Sequence, residues 1–133
     1  MSYERNANRF TPQAIEASAE HQGLDVFWSD DSHLLIDLDS PDTIAFDNQF
    51  DMLLDTHPYP ELFGDPQVFH SKSGNIHIVI KLNGTLSLTE RLALQAFLGS
   101  DIKRELLSYV GMLHGQANPS VLFRPKGTVG QIK

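Results

Sequence analysis

The sequence predicts an α+β domain, with a mainly antiparallel sheet, helices on one face of it, and a C-terminal helical pair. Three observations predict this class. In "HLLIDLD" and "NIHIVIKL" aliphatic residues alternate with period two, as in strands that bury one face. In "SPDTIAFDNQFDMLLDT" the residues Ile44, Phe46, Phe50, Leu53 and Leu54 fall mostly on one helical stripe. Strands and helices interleave along the chain, and short turns join some of the strands, so hairpins accompany the crossovers.

The elements follow in order. "TPQAIEASAEHQG" reads as a helix with Thr11 as N-cap, Pro12 at the first helical position and Gly23 just beyond the end. "LDVFWS" is a strand, "DDS" a turn, and "HLLIDLD" a second strand expected to form a hairpin with the first. Ser40 and Pro41 are expected to start the next helix. "HPYPELFGDP" is a loop, because its prolines and Gly-Asp-Pro break any regular period. "QVFHSKSGNIHIVIKL" gives two strands, or one bent strand, around Ser73-Gly74-Asn75. The helical pair occupies 86–115: "SLTE" is a capping box that begins one helix at Ser87, which runs to Gly99. Ser100 or Asp101 begins the other, which closes at Gly115. "SVLFRP" is a last strand, and 126–133 a loose tail. No repeat or Gly/Ser-rich linker divides the chain, so 1–133 reads as a single domain whose palm-like α+β part covers 10–82.

Composition narrows the chemistry. With 133 residues, 41% hydrophobic and 20% charged, the chain is of ordinary globular type. It has no cysteine, which removes disulfides and thiolate metal sites. No run is apolar enough to span a bilayer and the N-terminus lacks a secretory signal, so a cytoplasmic protein without membrane contact is expected. The net charge of -7 argues against a broad, sequence-independent grip on nucleic acid, while leaving room for a local site where cations meet phosphates.

The chemistry concentrates in the two alternating strands. Asp37 and Asp39 share one face of the first, opposite Leu34, Ile36 and Leu38; His77, Val79 and Lys81 share one face of the second, opposite Ile78, Ile80 and Leu82. If the two strands pair, Asp37, Asp39 and His77 meet on a side of the sheet expected to be open. Two carboxylates so placed suit Mg²⁺ or Mn²⁺, hard cations that prefer oxygen and keep room for a triphosphate. "SKSG" before the second strand offers hydroxyls, backbone N–H groups and Lys72 to phosphate oxygens.

"LLIDLD" followed by "SKSGNIHIVIKL" resembles the first two motifs of the archaeo-eukaryotic primase superfamily, the primase–polymerases of archaea, plasmids and phages. Asp37 and Asp39 match its acidic pair; Ser71, Ser73, Gly74 and His77 match its serine–histidine motif. The resemblance covers roughly positions 24 to 82. It implies an RRM-like palm and a small enzyme of a phage or mobile element acting in DNA replication. It also implies catalytic metals on Asp37 and Asp39, and an incoming nucleotide held by Ser71, Ser73 and His77, beside which Lys72 supplies an extra positive charge. The family's third motif adds another aspartate, ending a hydrophobic strand, for which Asp101 is the candidate; it lies instead between two helices, where an N-cap is the ordinary reading of an aspartate. "LFRPKGT" is a loose match to an Arg-x-Pro-Gly-Thr stretch of some members, with Arg124 as phosphate contact; Lys126 disrupts the spacing. The partners implied are a nucleotide triphosphate and nucleic acid.

Plainer readings stand beside these. Asp39 can end the strand ahead of the Ser40 cap, and a lone strand histidine such as His77 is commonly structural. Lys103, Arg104 and Glu105 read as a solvated, internally paired helix face. Tyr109 as the nucleophile of a replication-initiating endonuclease is rejected, because "HIVI" holds one histidine where a metal pair is required. A Ser-His-Asp hydrolase is rejected for want of a G-x-S-x-G turn. The alternative to a metal-dependent nucleotidyltransferase is a non-catalytic regulatory protein that keeps the palm and acts through a protein partner or a homodimer.

Overall fold

An unpaired strand edge organises this fold. The computed structural model describes residues 12–71, 74–115, 121–125 and 131–132. Helix α1 spans Pro12–His21, strand β1 Leu24–Trp28, β2 His33–Leu38 and α2 Ile44–Thr56; a single 3-10 turn follows at Pro60–Leu62. Strands β3 (Gln67–His70) and β4 (Ile76–Lys81) precede helices α3 (Leu88–Phe97) and α4 (Ile102–Leu113), and β5 (Val121–Pro125) and β6 (Gln131–Ile132) come last. The class is α+β. Among the described residues all strand pairs are antiparallel, in one sheet of order β2-β4-β3-β6 and a separate ribbon β1-β5. Gln131–Ile132, within the stretch read as a loose tail, thus pairs with β3.

The alternation in β2 and β4 works as the sequence suggests. Leu34, Ile36, Leu38, Ile76, Ile78 and Ile80 form one face, buried against Phe46 and Leu53 of α2 and against Leu98. Each such side chain contributes about 1.5–3 kcal/mol on leaving water, which makes this face the main anchor of the sheet.

The expected β1–β2 hairpin does not form, and the second sheet face is not open. β1 pairs with β5, from Leu24 opposite Pro125 to Trp28 opposite Val121. This ribbon lays Phe27 and Leu122 over Leu35, Phe69 and Val79, all of which point away from α2. A hairpin extending the sheet sideways would leave those three in water; a ribbon across the face buries them. Burial of apolar surface therefore overrides sequence proximity here.

Helix α2 starts at Ile44, later than the Pro41 start expected. Ser40–Thr43 form a turn in which the Asp42 carboxylate accepts from the Ile44 N–H at 3.0 Å. Ser87 caps α3 as the capping box requires, accepting from the Glu90 N–H at 3.2 Å. Gly64 is fixed by close approach: its N–H donates to the Lys81 carbonyl at 2.9 Å, and a Cβ there would lie 2.7 Å from that oxygen. Among the described residues, no helix is long and apolar enough to cross a membrane.

Candidate functional site: the acidic end of strand β2

Strand β2 is an edge strand, so alternate backbone groups face away from β4 and need partners elsewhere. The α3–α4 pair supplies all four for Leu35 and Asp37. The Leu35 N–H donates to Gln95 Oε1 at 2.9 Å, and the Leu35 carbonyl accepts from Arg104 at 3.2 Å. The Asp37 N–H donates to Ser100 Oγ at 3.0 Å, and the Asp37 carbonyl accepts from the Asp101 N–H at 2.7 Å. Glu105 joins these side chains into one buried network, accepting from Gln95 Nε2 at 2.9 Å, Ser100 Oγ at 2.8 Å and Arg104.

Glu105 is only 4% exposed, so the solvated face expected for Arg104 and Glu105 is in fact turned inward. The physical reason is the strand edge: its N–H and C=O groups need polar partners, and an aliphatic helix face would have left them unsatisfied. Burial pulls the Arg104 pKa below the usual guanidinium value, against the opposing pull of Glu105 and Asp37.

Two groupings of the expected site residues result. The first is Asp37 with His77. They sit opposite each other in the β2–β4 register, with His77 Nε2 at 3.5 Å from Asp37 Oδ1. His77 is 8% exposed and borders Phe27, Phe69 and Leu122 beneath the ribbon. Its pKa is lowered, chiefly because burial penalises the imidazolium; Asp37 pulls it up and the Arg104 charge pushes it down. The Phe123 backbone also favours the cation, without a well-aligned bond to the ring: Nδ1 is buried with no hydrogen-bond partner.

The second grouping is Asp39 with Asp101. The chain between α3 and α4 runs back beside the end of β2, where Ser100 bridges Leu38, and this return brings in Asp101. Its carboxylate accepts from the Lys103 N–H at 2.9 Å, so the capping role is present. Asp39 and Asp101 also line one cavity of about 290 Å³, together with Ser40, Asp42, Gln49 and Ser100. Asp37 is not part of its wall, so the fold divides the acidic pair between two sides of one strand end.

Ser71 lies at the same end of the sheet. It closes the β3–β4 turn, its N–H donating to the Asn75 carbonyl at 2.8 Å and its Oγ accepting from the Asn75 N–H at 3.0 Å. Lys72 and Ser73, and the side chain of Arg124, lie outside the described residues. Among the described residues, no three His, Asp or Glu side chains are grouped to hold a metal ion. Asp37 Oδ1 is nonetheless a buried oxygen without a hydrogen-bond donor, and Asp39 and Asp101 supply two hard oxygen donors on one cavity. The two cavity carboxylates, Asp39 and Asp101, are of the hard oxygen type that Mg²⁺ and Mn²⁺ prefer, and such ions commonly use one or two carboxylates plus phosphate oxygens.

Sequence reasoning missed Gln95, Ser100 and the inward turn of Glu105. A signal existed for Gln95, which stands three residues from both Leu92 and Leu98 on a buried stripe. A polar side chain in such a slot marks a backbone group that needs a partner. Comparison with known proteins found no matching family model, no matching curated protein and no matching solved structure.

Proposed function

We propose that this chain is a primase–polymerase-like palm that binds a nucleotide triphosphate with Mg²⁺ or Mn²⁺ and acts in cytoplasmic DNA replication of a phage or plasmid. One observation carries the reading: the return of the chain after α3 sets Asp101 against β2, its N–H on the Asp37 carbonyl at 2.7 Å. A third aspartate is thereby brought to the end of β2, where it shares the cavity wall with Asp39, while Asp37 lies on the other side of the strand end.

The roles follow from placement. Asp39 and Asp101 would hold the cation on the cavity side. His77 positions Asp37 across the strand pair, and the Asp101 backbone fixes the strand end. A bound divalent cation would neutralise phosphate charge and orient the attacking hydroxyl. Ser71, at the same end of the sheet, would offer its hydroxyl to phosphate oxygens. Incubating the protein with labelled nucleotides, a template and Mn²⁺ tests the activity. Dinucleotide product that disappears in Asp39→Asn supports it; no product and no nucleotide binding removes it.

A second reading is favoured by a different observation. Helix α4 exposes several large apolar side chains, as a non-catalytic module acting through a protein partner would. Stable complex formation without any nucleotide affinity would decide for it.

A further inference from the structure

Helix α4 is built inside out. Its buried residues are Glu105, Ser108 and Gly111, while Ile102, Leu106, Tyr109 and Leu113 are 70, 61, 45 and 64% exposed. At 100° per residue those four lie within an arc of about 60°, a single stripe along the full helix. The inversion has a cause already described: the edge of β2 takes the polar face of α4 as its partner, which leaves the apolar face outward.

We infer that this stripe is the self-association surface of the protein, and that its occupant is α4 of a second copy, packed antiparallel about a twofold axis. A second copy is thus the partner in the interaction reading above, whether or not the chain binds nucleotide.

Three arguments select a second copy. The first is symmetry. The spacing 102, 106, 109, 113 is four, three, four, which reads the same in both directions. A twofold axis at the centre of the stripe sets Ile102 against the partner's Leu113, and Leu106 against the partner's Tyr109. An isologous interface needs this self-complementarity, and an unrelated partner does not.

The second is area. The four side chains of the stripe offer on the order of 300 Å² of apolar surface, the centre of an interface that in its standard form buries ~800 Å² per partner. The third is charge. The chain carries a net charge of -7, yet the one carboxylate within Ile102–Leu113 is Glu105, which is buried. This face therefore adds no like-charge repulsion of its own. An antiparallel partner also brings Lys103 to the C-terminal end of the facing helix, whose last turn has no basic residue and whose carbonyls favour a cation. The rival occupant, the chain's own residues 1–11, contributes only Met1, Tyr3 and Phe10 as large apolar groups.

Sedimentation equilibrium on the full chain tests the inference. Twice the 14.9 kDa monomer mass is expected for wild type, and the monomer mass for Leu106→Glu with unchanged far-ultraviolet circular dichroism. The orientation is read by cross-linking, which is clean because the chain has no cysteine. A mixture of Ile102→Cys and Leu113→Cys proteins should form the mixed disulfide in preference to either self-pair. A wild type that stays monomeric at millimolar concentration overturns the proposal, as does a dimer indifferent to Leu106→Glu. A monomer that dimerises only when residues 1–11 are removed also overturns it, in favour of the N-terminal segment.

Discussion

His77 stands directly across from Asp37 in the β2–β4 register, its Nε2 3.5 Å from the Asp37 carboxylate, with the imidazole buried beneath the β1–β5 ribbon and the carboxylate partly exposed. The fold keeps this imidazole neutral, because burial outweighs the attraction of Asp37. The sign for stability follows. Unfolded, the ring takes a proton near its usual 6.5; folded, it does so only at lower pH. The unfolded chain therefore binds more protons in that window, and stability falls as pH drops below 6.5, levelling off once the folded-state value is passed. Urea titrations of metal-free wild type and His77→Asn between neutral pH and about pH 5 should show a smaller acid-side loss in the variant. An equal loss in both would show that His77 is not the group responsible.

The buried network on the edge of β2 makes the strongest stability claim. Glu105→Ala leaves Arg104 buried without its carboxylate and removes the acceptor of Gln95 and Ser100. A loss of about 3–5 kcal/mol is expected from denaturant unfolding. Lys103→Ala, on the exposed face of the same helix, should change stability by less than ~0.5 kcal/mol.

Gly64→Ala probes the close approach between the loop after the 3-10 turn and the end of β4. Its Cβ would sit 2.7 Å from a backbone oxygen that cannot swing aside. Destabilisation of about 1–3 kcal/mol is expected, again from the urea midpoint at unchanged slope.

Asp101→Asn separates capping from metal binding, because asparagine caps a helix about as well as aspartate but carries no charge. Stability should stay within ~0.5 kcal/mol of wild type, while Mn²⁺-dependent nucleotide binding should weaken at least tenfold, ~1.4 kcal/mol. Unchanged binding would leave Asp101 as a cap alone.

Much of the site's local geometry was legible in the sequence. The period-two pattern placed Leu34, Ile36 and Leu38 on one face and Asp37 on the other, and it put Asp37 within reach of His77 once β2 and β4 paired. Helix signals located Ser87 and Asp101 as caps, and both cap. What the sequence hid was nonlocal. Nothing in "LDVFWS" says that its partner lies almost a hundred residues away in β5, because that choice depends on which exposed apolar face most needs a cover. The periodicity of α4 likewise gives two faces without saying which turns inward; the unpaired groups of Leu35 and Asp37 decide that. The split of Asp37 from Asp39 has the same origin: β2 ends at Leu38, where strand alternation stops applying.

Calorimetric titration of a nucleotide triphosphate into the protein with Mn²⁺ present, repeated with Asp39→Asn, tests the nucleotide-binding reading most directly. Saturable, Mn²⁺-dependent binding to wild type and its loss in the variant are expected, with both proteins equally folded. No heat of binding to well-folded wild type, or binding that survives both the variant and removal of the metal, would contradict it.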